Sequence, residues 1–121
     1  MADYTLAEMR TRVLEKLFVL IAGETADAED AATVDDVIAA VNETLRQDEI
    51  CYWDDTGTPE HLVEWLGQYY ACFLANDYMD AGEASAFKND PNTGMKACMR
   101  EIRALTAARK RVDEPTKALH F

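Results

Sequence analysis

The sequence predicts an all-α fold, in which four main helices form a small bundle and an extended C-terminal tail follows. Apolar residues recur every three or four positions through four segments, which is the period of an amphipathic helix. Only five Gly and three Pro occur in 121 residues, which suits long helices better than a sheet with many turns. We therefore expect helices near residues 5–22, 28–47, 58–79 and 94–111, within a domain 1–112 and before a tail 113–121.

The first two helices have clear start signals. Thr5 with Glu8 three residues later is a capping-box pattern, and Gly23 is the expected stop signal of the first helix. Asp27 is the predicted N-cap of the second helix, whose apolar positions alternate with a polar face that carries Asp36 and other acids. Paired carboxylates on such a face are interpreted as solvated, because no His, Cys or Gly-rich loop lies beside them.

The third helix is predicted to be the central element of the fold. Thr58 is a suitable N-cap, and Pro59 suits the first helical position. Apolar residues then occupy most of the circumference, so this helix must be covered on most sides by other helices or by a neighbouring subunit. Burial of Trp65 and Phe73 would make truncation of either to Ala cost about 3–5 kcal/mol. The predicted core residues of this helix are Trp65, Leu66, Tyr69 and Phe73.

Two connecting segments are predicted around the third helix. Residues 50–53 form a short apolar run, interpreted as a buried connector or a brief extended segment, and the acidic turn 54–57 follows it. That turn lacks the alternating ligands and the distal Glu of a calcium loop. After Met79, residues 84–87 are expected to form a short helical turn before Pro91 and Gly94 interrupt any helix.

Charge is unevenly distributed along the chain, whose net charge is −11. Residues 1–80 contain 18 acids and 4 bases, whereas residues 81–121 contain 5 acids and 8 bases. An acidic body does not bind nucleic acid by neutralising phosphates. The basic cluster of the last helix is interpreted as a solvated face, or as a subunit interface at which opposite charges meet. The interface residues predicted there are Arg103, Arg109, Lys110 and Arg111.

The residues do not favour catalysis, a cofactor or a metal. No phosphate-binding glycine loop or nucleophile motif occurs, and catalysis needs several poised groups in one pocket. Cys51, Cys72 and Cys98 are widely separated, and no His lies near them in the sequence; we expect Cys72 and Cys98 to be buried as small apolar residues. No apolar run approaches the length of a membrane span, and the N-terminus lacks a secretory signal pattern, so a cytosol-like compartment is expected.

The order of these elements resembles a known family. The segment VLEKLFVLIAGETADAEDAATVDDVIAAVNETLRQDEI, then Trp53, Pro59 and the run from Leu66 to Leu74, precede a basic last helix. This arrangement is similar to the head–tail adaptor proteins of tailed bacteriophages, also called connector, head-completion or packaged-DNA-stabilisation proteins. The resemblance covers residues 5–111 and rests on helix order and patterning.

The resemblance implies a structural protein without enzymatic activity, located at the head–tail junction of the virion and in the host cytoplasm during assembly. Identical subunits would form a ring, dodecameric on the portal protein, that closes the DNA-filled head and carries the tail or further connector proteins. DNA would pass through the lumen without specific binding, and no membrane would be involved. The acidic body suits such a channel, because like charge prevents the wall from gripping DNA.

The tail is the predicted portal-docking segment. Leu119 and Phe121 have the i, i+2 spacing that places both side chains on one side of an extended strand, so they suit strand addition or groove docking. The predicted docking residues are Lys117, Leu119, His120 and Phe121. The alternative function is that of a small acidic DNA mimic or regulatory protein, which would act by binding a DNA-interacting partner. Formation of a ring distinguishes the two.

Overall fold

The computed structural model describes residues 3–21 and 24–113, with side chains described as far as Ala108. This part of the chain is all-α, as predicted, and no strand is found in it. Its elements in chain order are α1 (Leu6–Lys16), α2 (Ala28–Gln47), a 3-10 turn (Glu60–Leu62), α3 (Val63–Tyr78), α4 (Ala81–Lys88) and α5 (Met95–Asp113). The four predicted helices correspond to α1, α2, α3 and α5, and α4 is a fifth.

Helix α1 begins as predicted but ends earlier. The Thr5 hydroxyl accepts a hydrogen bond from the Glu8 amide, and the Glu8 carboxylate accepts one from the Thr5 amide, which completes the capping box. The helix ends at Lys16, so the predicted end near residue 22 is wrong. Phe18 adopts a left-handed backbone with φ 62°, which turns the chain back and lets Val19 pack against the core. The predicted stop signal, Gly23, lies outside the described residues.

Helix α2 has the bounds that its sequence predicts. The Asp27 carboxylate accepts a hydrogen bond from the Asp30 amide at the start of the helix, 2.8 Å away. At the other end, the Ile50 amide donates to the Leu45 carbonyl and the Glu49 amide donates to the Arg46 carbonyl. These two bonds are those of a Schellman motif, in which Glu49 occupies the left-handed position with φ 61°.

The start of the third helix differs from its prediction. The Thr58 backbone pairs with Tyr4 in an isolated antiparallel bridge, with N–O distances of 2.8 and 2.9 Å. Thr58 is therefore extended and does not cap a helix, and its hydroxyl is buried without a hydrogen-bond partner among the described residues. Pro59 precedes the 3-10 turn, and α3 itself begins at Val63.

The segments on either side of α3 are short and ordered by local hydrogen bonds. In the connector before it, Ile50 and Trp53 are buried, while the acidic turn closes through a bond from the Gly57 amide to the Asp54 carbonyl. The region predicted as a short helical turn is the eight-residue helix α4, capped by Asp80. α4 is therefore longer than its sequence indicated.

Helix α3 lies at the centre of the fold and contacts each of the other four helices. The core forms on the faces of α1, α2 and α5 that are turned toward it, and Leu66 and Tyr70 of α3 are fully buried there. The other fully buried large side chains are Met9, Val13, Leu14, Val34, Ile38, Asn42, Leu45, Leu62, Leu74 and Ile102. The predicted central role of the third helix is confirmed.

The end of α2 generates a prediction on stability. A residue with a Cβ atom in the left-handed region costs about 1–2 kcal/mol, whereas Gly does not. We therefore expect Glu49→Gly to raise the free energy of unfolding by about 0.5–1 kcal/mol in urea titrations. Ala39→Gly, in the exposed middle of the same helix, is the control and is expected to lower it by about 1 kcal/mol. A loss of stability in Glu49→Gly would contradict this explanation of the helix end.

Candidate interaction surface

An apolar groove lies on the surface between α2 and α3. Its volume is about 300 Å³. At its edge the ring of Phe73 is 45% exposed and meets the ring of Tyr69 edge to face, with ring centres 5.1 Å apart. The lining residues are Val37, Ala40, Val41, Thr44, Leu45, Tyr69 and Phe73. Since exposed apolar concavities are typical of places where another molecule binds, this groove is a candidate interaction surface.

The predicted core residues of α3 are buried to different degrees. Leu66 is fully buried, and Trp65 and Tyr69 are half-buried. The expected burial of Phe73 is wrong for the single chain, because no helix of the described residues covers that edge of α3. The apolar period of the helix does not reveal which part of its circumference the other helices leave uncovered. Tyr70, which is fully buried, takes the central place instead.

A buried polar network fixes α2 and the connector against α3. The Tyr70 hydroxyl donates to the side-chain oxygen of Asn42, and the Asn42 amide donates to Asp55 Oδ1 over 2.9 Å. Arg46 donates to the same carboxylate oxygen over 2.8 Å and to the Trp53 carbonyl over 3.1 Å. Burial raises the pKa of Tyr70, so this hydroxyl stays protonated and donates at neutral pH. The network therefore holds one wall of the groove in a defined position.

Sequence reasoning missed Asn42 and Asp55. The detectable signal is a polar residue on the apolar face of α2, since Asn42 shares that face with Ile38 and Leu45. An amide at such a position must find partners inside the protein. Nothing in the local pattern identifies Asp55 as that partner, because the turn that carries it was consistent with a solvated loop.

Ion pairs hold the outer side of α1 against its neighbours. Arg12 and Lys16 both bind the Glu64 carboxylate at the start of α3, with the Lys16 nitrogen 2.9 Å away. The hydrogen bond from Lys16 lowers the pKa of Glu64. Arg10 binds Asp35 of α2 through two parallel hydrogen bonds of 3.0 and 2.8 Å. These contacts fix the packing of α1 and leave the groove on the other side of α2 open.

Only one of the predicted subunit-interface and docking residues has a side chain that the structure describes. Arg103 is exposed on α5, in agreement with an accessible basic face. Arg109, Lys110 and Arg111 belong to the helix, but their side chains lie outside the described residues. The predicted docking residues Lys117, Leu119, His120 and Phe121 also lie outside them. Their roles therefore stay predictions.

The cysteines are placed as small apolar residues. Cys72 of α3 and Cys98 of α5 are buried, as predicted, and both are free thiols. The Cys98 thiol donates to the Thr93 carbonyl over 3.4 Å. The neighbouring Cys98 and burial raise the pKa of Cys72. Cys72 therefore packs α3 against α5 as a buried thiol.

Residues 3–21 and 24–113 contain no cluster of three or more His, Cys, Asp or Glu side chains that could hold a metal ion. No helix within these residues is long and apolar enough to span a membrane. Comparison with protein-family models, curated proteins and solved structures finds no match to the chain.

The polar network generates the second prediction. Tyr70→Phe removes the donor to Asn42 and leaves a buried amide oxygen without it, so we expect the free energy of unfolding to fall by about 1–3 kcal/mol. Tyr69→Phe is the matched control on the same helix, and its half-buried position should keep the change within about 0.5 kcal/mol. Equal losses in the two variants would show that the network does not stabilise the fold.

The stability of Tyr70→Phe is also compared with that of the native chain at high pH. The pKa of Tyr70 in the folded protein is raised above its unfolded value near 10. The hydroxyl therefore contributes fully to the free energy of unfolding below about pH 10, and this contribution is lost as the pH rises further. We therefore expect Tyr70→Phe to lose less stability than the native chain between about pH 10 and pH 11. Parallel pH profiles of the two proteins would contradict the assignment.

Proposed function

We propose that this chain is a structural head–tail adaptor of a tailed bacteriophage. Copies of it would form a ring beneath the portal protein, dodecameric there, which closes the DNA-filled head and provides the attachment platform for the tail. In this role the protein works by binding and needs no catalytic group. The observation that carries the proposal is the order of elements: two amphipathic helices, an aromatic connector, a central apolar helix and a basic last helix.

The uncovered edge of α3 supports assembly with another protein molecule. Phe73 and Tyr69 present apolar ring surface at the groove, although most other apolar side chains of α3 are buried inside the chain. Covering apolar surface contributes about 25 cal/mol per Å². In a ring, a neighbouring subunit would cover such an edge and remove its apolar surface from water.

The distribution of charge supports a side-by-side arrangement of copies. Residues 1–80 carry a net charge of −14 and residues 81–121 one of +3. Molecules with separate regions of opposite sign attract each other in a defined orientation, which improves specificity and the rate of association. The acidic part also suits the wall of a channel for DNA, since it repels phosphates.

The tail extends the proposal to the portal. Helix α5 ends at Asp113, and the sequence after it ends in Leu119, His120 and Phe121. We assign this segment, together with Lys117, to docking on the portal by strand addition or in a groove. Eight residues beyond the helix can span up to about 26 Å when extended, enough to reach a neighbouring protein.

A DNA mimic is a less suitable interpretation of the acidic surface. Duplex DNA carries one negative charge per about 1.7 Å of its axis. On the exposed face of α2, Glu29, Asp36 and Glu43 follow one another at seven-residue intervals, which is about 10 Å of helix rise. Carboxylates this far apart do not reproduce the charge density of a phosphate backbone. We therefore retain the adaptor as the proposed function.

The third prediction tests the adaptor directly. Electron micrographs of the full chain mixed with its portal protein are expected to show an added ring beneath the portal. The control is the chain ended after Val112, which keeps all of the described helices except the last residue of α5 and removes the proposed docking segment. We expect this shortened protein to keep its helical circular-dichroism spectrum and to lose portal binding.

Two outcomes would contradict these assignments separately. Absence of any ring with the full chain would overturn the proposed function. Portal binding of unchanged affinity by the chain that ends at Val112 would leave the adaptor in place and remove the docking role of the tail.

A further inference from the structure

Two exposed helix faces of this chain carry opposite charges at the same spacing. On α2, acids recur every seven residues at Glu29, Asp36 and Glu43, and all three are exposed. On α5, bases recur every seven residues at Lys96, Arg103 and Lys110. Lys96 and Arg103 are exposed, and Lys110 follows in the same helical register. A seven-residue interval keeps residues on one face of a helix, so the acids and the bases each form a stripe.

The two charge patterns also match in length. Each extends over 15 residues of its helix, a rise of about 21 Å. On α2, the exposed residues Ala32, Ala39 and Ala40 flank the acids. On α5, exposed Arg100 adds a further base between Lys96 and Arg103, and exposed Ala107 follows Arg103. Small side chains on α2 let another helix come close, while the charged side chains pair across the contact. We call these surfaces the acidic stripe (Glu29, Asp36, Glu43) and the basic stripe (Lys96 and Arg103).

Partners within the chain do not neutralise the stripes. Among the described residues, Asp36, Lys96 and Arg103 form no ion pair, and Glu43 has only a 3.4 Å contact with Arg46. The charged pairs that do fix the fold involve other residues, such as Arg10 with Asp35. The stripes are therefore available to another molecule.

We infer that the acidic stripe of one copy binds the basic stripe of a second copy. The occupant is a second copy because this chain supplies both halves of the complementary pair, on different helices. Each copy then offers one stripe to each of two neighbours, which makes the contact heterologous. Such contacts form a ring when the rotation between copies closes and a filament when it does not.

The apolar groove adjoins this contact. Ala40 lies between Asp36 and Glu43 on the exposed face of α2 and also lines the groove. A helix laid along the acidic stripe would therefore shield the α2 side of the groove from water. The inference deepens the proposed function and rests on it for the closed ring, but the contact between copies can be measured without a portal.

The experiment exchanges the charges in the full chain. One variant carries Asp36→Lys and Glu43→Lys, and the other carries Lys96→Glu and Arg103→Glu. Each leaves one chain with two stripes of the same sign, so we expect each alone to raise the dissociation constant of self-association at least about tenfold in sedimentation equilibrium. An equimolar mixture restores opposite signs at every contact and is expected to return to within about threefold of the native value.

Salt and net charge provide the controls. Association of the native chain should weaken between about 0.01 M and about 1 M salt, because exposed charges are screened. Asp36→Lys with Glu43→Lys changes the net charge from −11 to −7 and relieves general repulsion, so weaker association cannot be a net-charge effect. Glu60→Lys with Asp77→Lys changes the net charge equally at exposed positions outside the stripes and should not weaken association. Circular dichroism and thermal midpoints establish that each variant is folded.

The outcomes are decisive in both directions. Any one of three results would overturn the inference. The native chain could stay monomeric at low salt, the variants could associate as strongly as the native chain, or the mixture could fail to recover the native dissociation constant. If a ring still forms on the portal in any of these cases, the proposed function stands and only this contact is wrong. If the stripes mediate association and no ring forms on the portal, the contact stands and the proposed function fails.

Discussion

The structure depends on the need to cover α3. Apolar residues occupy most of the circumference of this helix, and a helix of that kind is stable in water only when other elements remove its apolar surface from solvent. Helices α1, α2, α4 and α5 do so from several sides, and each contacts α3. Tyr70 adds a directional constraint, because its hydroxyl must be satisfied inside the core and binds Asn42 of α2. Together these demands place α2 and leave the edge at Phe73 open.

Local signals predicted the helices where local chemistry decides their ends. Asp27 caps α2 as its sequence indicates, and the bounds 28–47 are confirmed. The end of α1 could not be predicted in this way, because Phe18 takes a left-handed conformation that normally favours Gly. The start of α3 was missed because Thr58 pairs with Tyr4, a contact between residues far apart in sequence. Tertiary contacts of this kind override local cap preference.

The charged stripes could be predicted from the sequence more fully than the shape of the apolar groove. The seven-residue spacing of acids on α2 and of bases on α5 is visible in the sequence. The structure adds that the described members of both sets are exposed. Periodicity placed Phe73 on the apolar side of α3 but could not show which helices cover that side. Asn42 was detectable as a polar residue on an apolar face, whereas its partner Asp55 comes from a turn whose position only the fold defines.

The central claim is that α3 is the covered core of the chain and that its edge at Phe73 is open. Urea unfolding of Leu66→Ala and Phe73→Ala, in protein dilute enough to prevent self-association, tests it most directly. Leu66 is fully buried, so its truncation is expected to cost about 3–5 kcal/mol. Phe73 is 45% exposed and packs edge to face against Tyr69, so its truncation is expected to cost only about 1–2 kcal/mol. A cost for Phe73→Ala equal to or above that for Leu66→Ala would contradict the account.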